Sequence, residues 1–157
     1  MAKAVNLNVT SPLDMVFRKT VPLASGETIR NGQWFELDEN GSAVIATSET
    51  TTAVRFLAFN DSTFPDVGAT LPDGTTRVST GGMSGLIGSL EANVNTEGYT
   101  SGQSYVAGAP LTVKSGKLYP AAAGDAIFAY VKQAVGADGL LWFIGVSGYA
   151  IGFVPAA

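Results

Sequence analysis

Histidine and cysteine are both missing from this chain, and their absence closes off a good deal of chemistry. Without cysteine there is neither a disulfide framework nor a thiolate metal site, and the chain carries no signal of redox compartment. Without histidine there is no serine–histidine triad, no imidazole metal cluster and no imidazole general base. Charge is scarce as well. Asp, Glu, Lys and Arg make up 14% of the residues, against roughly 25% in an average soluble protein. The nine basic residues are scattered through a chain of net charge −4 and pI about 4.6. That is a poor footprint for phosphate, so no nucleic-acid partner is expected.

Long apolar runs are missing too. The longest candidate, "LLWFIGVSGYAIGFV" (140–154), is broken by glycine and is shorter than the roughly 20 residues of a membrane helix. It reads as two buried strands, and no membrane partner is expected. The start, "MAKAVNLNVTSPLDMVF", has no continuous apolar core, so no signal peptide is expected. The sequons at Asn8, Asn40 and Asn60 are then chance matches.

Cofactor motifs fail on inspection. "GGMSGLIG" (81–88) lacks the Gly-Lys-Ser/Thr ending of a P-loop and the spacing of a dinucleotide fingerprint, and reads as a flexible loop. No G-x-S-x-G elbow occurs. "ELDENG" (36–41) holds three acids in four residues but not the spacing of a calcium loop, and reads as a solvated turn. The expectation is a protein without catalysis, metal or organic cofactor.

What the chain does contain is β-sequence. Hydrophobic residues reach 46% and glycines number 19 among many Thr, Ser and Ala residues. At 157 residues this is one domain with a sizeable core. The expected division is an N-terminal arm or first strand over 1–22 and a single β-domain over 23–157. "SGETIRNGQWFELDENG" (25–41) aligns with "SGQSYVAGAPLTVKSGK" (101–117) at an offset of 76, Ser25-Gly26 falling on Ser101-Gly102 and Gly32 on Gly108. Phe35 and Leu37 fall on Leu111 and Val113, and apolar and polar positions alternate in both copies, as in a half-buried strand. Asn40-Gly41 and Ser115-Gly116 supply residues that tolerate the positive φ of tight hairpin turns. A return strand and a further apolar strand follow in each copy. The pattern predicts an all-β fold, a compact barrel or sandwich with an internal duplication relating 25–59 to 101–131. Between the copies, residues 60–100 are loop-like in their first half, a stretch expected to cover one end of the fold or to meet a partner.

The first 22 residues allow two readings. Val5, Leu7, Val9, Leu13, Met15 and Phe17 keep two-residue spacing, and Arg18 and Lys19 follow them. Such a segment is either strand one of the domain or an arm that adds a strand to a neighbour's sheet edge. As an arm, these eight residues are the expected contacts. Trp34, Tyr99, Tyr105, Tyr119 and Trp142 offer a different reading, a stacking platform in a β-sandwich carbohydrate- or receptor-binding module of a tail or surface protein.

The pattern "Y-x-A-G-x-P-L-T-V-x-S-G-K-L-x-P-A…G-D-x-I-x-x-Y-V" (105–131) resembles head-decoration, or cement, proteins of tailed bacteriophages. The segment "SGETIRNGQWFELDENGSAVIA" (25–46) is similar to a degenerate first version of the same motif. The resemblance covers 25–60 and 89–133. It implies a structural protein of the virion, made in the host cytoplasm and bound to the outer capsid surface, where it clamps neighbouring copies of the major capsid protein. It also implies a homo-oligomer, with a trimer favoured. The residues give their own reason to expect association: "AIFAYV" and "LLWFIGVSGYAIGFV" are apolar on both faces, and a single domain interior accommodates only one.

Overall fold

The computed structural model describes residues 7–10, 17–47, 54–59 and 82–156. Every regular element among them is a strand: β1 (Leu7–Val9), β2 (Phe17–Pro22), β3 (Trp34–Leu37), β4 (Ala43–Ile45), β5 (Phe56–Leu57) and β6 (Gly82–Val94), then β7 (Pro110–Lys114), β8 (Lys117–Pro120), β9 (Ala126–Ile127), β10 (Ala129–Gln133), β11 (Leu141–Ser147) and β12 (Gly152–Phe153). The fold is all-β, with antiparallel ladders throughout and the strands arranged as a sandwich.

β6 organises it. Residues 88–94 pair with β11, residues 92–94 also pair with β1, and residues 82–87 pair with β2. The larger sheet runs β1-β6-β11-β10-β7-β8 with β2 attached to β6, while β4-β3-β5 form a second sheet and β12-β9 a third. An antiparallel bridge from Ala58 to Gly85 ties the second sheet to β6. At the rims, Leu23 to Ala43 and Tyr99 to Leu118 are isolated parallel bridges rather than ladders.

The internal repeat appears in the hydrogen bonds. In the first copy, β3 pairs with β4 as Phe35↔Ile45 and Leu37↔Ala43, and with β5 as Trp34↔Leu57. In the second, β7 pairs with β8 as Leu111↔Pro120 and Val113↔Leu118, and with β10 as Tyr130↔Pro110. The offset of 76 (Trp34 to Pro110) becomes 75 beyond the hairpin turn (Ala43 to Leu118), because the second turn is one residue shorter. Flanking bonds follow suit. The Ala24 amide donates to Ala43 as Thr100 does to Leu118, and Gly32 donates to Ala58 as Gly108 does to Val131. Both copies therefore place a central strand between its hairpin partner and a third strand.

Alternation along β3 sends Trp34 into the larger core and Phe35 into a smaller one, so this strand is buried on both faces. Trp34 packs against Phe128 across the copies at 5.8 Å between ring centroids, and Phe35 stacks on Phe56 at 5.4 Å.

Three expectations change. Residues 82–88, read from their glycines as a loop, form the first half of β6. Glycine is needed there because a Cβ on Gly85 would lie 2.6 Å from Cζ of Phe35: the strand passes directly over a buried ring. Of the two buried strands expected within 140–154, β11 alternates between buried and outward-facing residues, whereas Ile151 and Phe153 around β12 are exposed. Among the described strands β12 pairs with the short β9. Leu7, expected at a partner contact, is 5% exposed and belongs to the larger core of its own chain.

Candidate binding surface

Arg55 is fully buried, donates from Nη1 to the Val113 carbonyl at 2.9 Å, and places Nε 3.7 Å from Oε2 of Glu36. Its guanidinium lies over the Phe128 ring, 5.4 Å from the centroid. A cation on the first copy thus grips the backbone and an aromatic face of the second. Ser147 lies opposite Gly88, where the partner of β6 changes from β11 to β2. Its hydroxyl accepts from the Leu57 amide at 2.8 Å and donates to the Leu86 carbonyl, satisfying two backbone groups. Asp125 accepts from the Ala122 amide at 2.9 Å and closes a turn. These groups hold the fold together. Among the described residues, no three acidic side chains converge on a point that could hold a metal ion, and no helix is long and apolar enough to cross a membrane.

The acidic turn is likewise structural. Asp38 Oδ1 accepts from the amides of Asn40 and Ser42, both at 2.9 Å, and so fixes the β3–β4 hairpin. The second hairpin needs no such cap, because Ser115 and Gly116 adopt φ of 50° and 76° in a two-residue turn. That turn is docked: Gly116 donates to the Ala46 carbonyl and accepts from the Trp34 amide, each at 2.8 Å.

The aromatic platform is not assembled. Trp34, Tyr99 and Tyr105 are buried at 0, 5 and 7% exposure. The Tyr99 hydroxyl donates to Gly139 O at 2.8 Å, and the Tyr105 hydroxyl to Thr100 O at 2.6 Å and Leu118 O at 3.2 Å. Burial pushes the Tyr105 phenol well above the usual tyrosine range. Tyr119 lies beneath the Lys114 ammonium, and Trp142 beside that of Lys132, which also pairs with Glu91.

Of the N-terminal contact candidates, Val5, Leu13 and Met15 lie outside the described residues, as do residues 60–81. Val9 packs partly against the larger core. Phe17, Arg18 and Lys19 lie in β2, in register with Ile87, Leu86 and Gly85. The described parts of 1–22 therefore pair with β6 of their own chain.

The exposed apolar side chains at the other end fall within the two segments read from the sequence as apolar on both faces. Tyr149, Ile151 and Phe153 are exposed at 54, 42 and 53%, the first two in the bend that follows β11 and the third in β12. Tyr130 and Ile144, a cross-strand pair of β10 and β11, add a smaller exposed apolar pair on the larger sheet. The only signal in the sequence was the surplus of apolar residues over one interior. Comparison with family models, with characterised proteins and with solved structures returned no match to this chain.

Proposed function

We propose that this chain is a structural binding protein of the head-decoration type, which acts without catalysis by seating on the outer surface of an assembled phage capsid and bridging neighbouring major capsid subunits. The observation that carries the reading is the repeated hairpin unit. The stretch resembling decoration proteins (105–131) and its earlier version (25–46) fold with the same strand pairings. Two further features support it. The described buried polar groups serve packing, and apolar side chains project from hydrogen-bonded strands, as a surface built for contact requires. A homo-oligomer, with a trimer favoured, would touch several capsomers at once and raise avidity by about 10²–10⁴-fold over a single contact. A carbohydrate module has less support, because three of the five aromatics it would use are buried.

The test is capsid binding. Purified chain is mixed with expanded capsids assembled from the major capsid protein of the same phage, and bound copies are counted after sedimentation. Saturable binding with a fixed number of copies per capsid, resolved as density at symmetry-related positions, is expected. Absence of co-sedimentation across a wide concentration range would sink the proposal.

A further inference from the structure

The outer edges of the two repeated hairpins are closed in different ways, and the difference assigns a part to Glu27. In the first hairpin the amides of Asp38 and Ala46 donate across the ladder to Ser42 O and Trp34 O, at 2.9 and 3.1 Å. Antiparallel pairs alternate between residues that exchange hydrogen bonds and residues whose backbone groups point away from the partner. Ile45, opposite Phe35, is of the second kind, so its N–H points outward from β4. That N–H donates to Oε2 of Glu27 at 2.7 Å. Two residues earlier, the outward carbonyl of Ala43 accepts from the Ala24 amide at 3.1 Å.

The second hairpin meets the same need with backbone alone. Its Leu118 donates outward to Gly98 O at 2.8 Å and accepts from the Thr100 amide at 3.0 Å. The counterpart of Ile45 is Pro120, which faces Leu111 as Ile45 faces Phe35. Proline has no N–H, so this outward position has no donor to close. The turns that lead to the cap are alike in both copies, with Gly26 and Gly102 at φ of 80° and 81°. Gln103, the counterpart of Glu27, is exposed. The side-chain cap thus occurs where a donor must be closed, and its counterpart stands free where proline has removed the donor.

An outward N–H on an edge strand is a template for another strand, and proline or a charged side chain are two ways in which natural sheets blunt it. This chain uses one on each hairpin. We infer that Glu27 guards the β4 edge: its carboxylate occupies the Ile45 N–H and keeps a second copy of this chain from adding a strand there, the part that Pro120 plays at β8. The inference does not depend on capsid binding.

The experiment compares the full chain with two variants at the same position. Glu27→Ala removes the cap. Glu27→Gln keeps a carbonyl oxygen as acceptor, and both variants take the same single charge from the net −4, so charge alone cannot separate them. In dilute samples, amide hydrogen exchange at Ile45 should quicken about tenfold in Glu27→Ala and stay near its original rate in Glu27→Gln. Sedimentation velocity over a concentration series should show larger species in Glu27→Ala that neither the unaltered chain nor Glu27→Gln forms. Exchange at 43–46 should slow again as those species appear. Adding Ile45→Pro to Glu27→Ala imports the second hairpin's solution and should abolish them. Equal behaviour of the Ala and Gln variants overturns the inference. So does a Glu27→Ala chain that keeps the size of the unaltered one at every concentration, or larger species that leave exchange at 43–46 fast. If the double variant fails to fold by circular dichroism, the comparison of Ala with Gln decides alone.

Discussion

The Arg55 guanidinium stands 5.4 Å from the centroid of the Phe128 ring, and the two residues hold the same place in the two copies of the repeat. Each directly precedes the third strand of its unit, β5 in one and β10 in the other. Equivalent positions therefore face each other at the junction, and they have diverged into a cation and its aromatic partner. Glu36, 3.7 Å from Arg55 Nε, has Thr112 as its counterpart, buried and uncharged. The Arg55–Glu36 ion pair thus stands on one side of the junction.

Removing the cation should therefore be costly. Arg55→Ala takes away the Val113 carbonyl contact and leaves the Glu36 carboxylate, 20% exposed, without the charge beside it. A loss of about 3 kcal/mol is expected in chemical denaturation. The double variant Arg55→Met/Glu36→Gln, which removes both charges and keeps the volume, should recover much of it. Equal losses for the two variants would mean that shape rather than charge dominates at this position.

The two hairpin glycines offer a matched comparison. Gly41 and Gly116 have φ of 77° and 76°, but a Cβ on Gly41 meets open space whereas one on Gly116 lies 2.8 Å from Ile45. Gly41→Ala should cost only the left-handed backbone penalty, about 1–2 kcal/mol. Gly116→Ala adds a steric conflict at the docked turn, about 1–3 kcal/mol more. Thermal midpoints of the two variants, measured side by side, check the difference.

Gly85→Ala should destabilise by about 1–3 kcal/mol through overpacking, because its Cβ meets the Phe35 ring at 2.6 Å and that ring is stacked on Phe56. Phe35→Leu removes the colliding ring atoms, so Gly85→Ala should cost less in that background than in the unaltered chain. An additive double variant would show that the conflict lies elsewhere.

Alkali should act through Tyr105. Its phenol titrates above the ordinary tyrosine value of 10.0, because burial penalises the charged form. Above about pH 10 the unfolded chain releases this proton while the folded chain keeps it, so the unfolded state is favoured and stability falls as pH rises. Tyr105→Phe forfeits two hydrogen bonds, to Thr100 O and Leu118 O, and should be less stable near neutrality. Its stability should also decline less steeply between pH 10 and 11.5. Identical slopes in the two proteins would refute the assignment.

The local code was legible in the sequence. Alternation at Trp34–Leu37 and Pro110–Lys114, the turn residues Asn40-Gly41 and Ser115-Gly116, and the spacing between the copies all reflect backbone and turn chemistry within a few residues, and each appears in the strand pairings. Contacts between distant segments were not legible. Gly85 looks like loop sequence until Phe35, fifty residues earlier, is seen beneath it. Arg55 looks like a surface cation until Glu36, Val113 and Phe128 converge on it. Leu7 and Phe153 are both apolar residues of short strands, yet one is in the core and the other in solvent. Period-two patterning marks a strand and its two faces, but it carries no information on which face another sheet will cover. For β1, paired with the central strand β6, the interior covers Leu7. For β12, whose partner among the described strands is the two-residue β9, Phe153 stays exposed, and it is the order of the strands that separates the two cases.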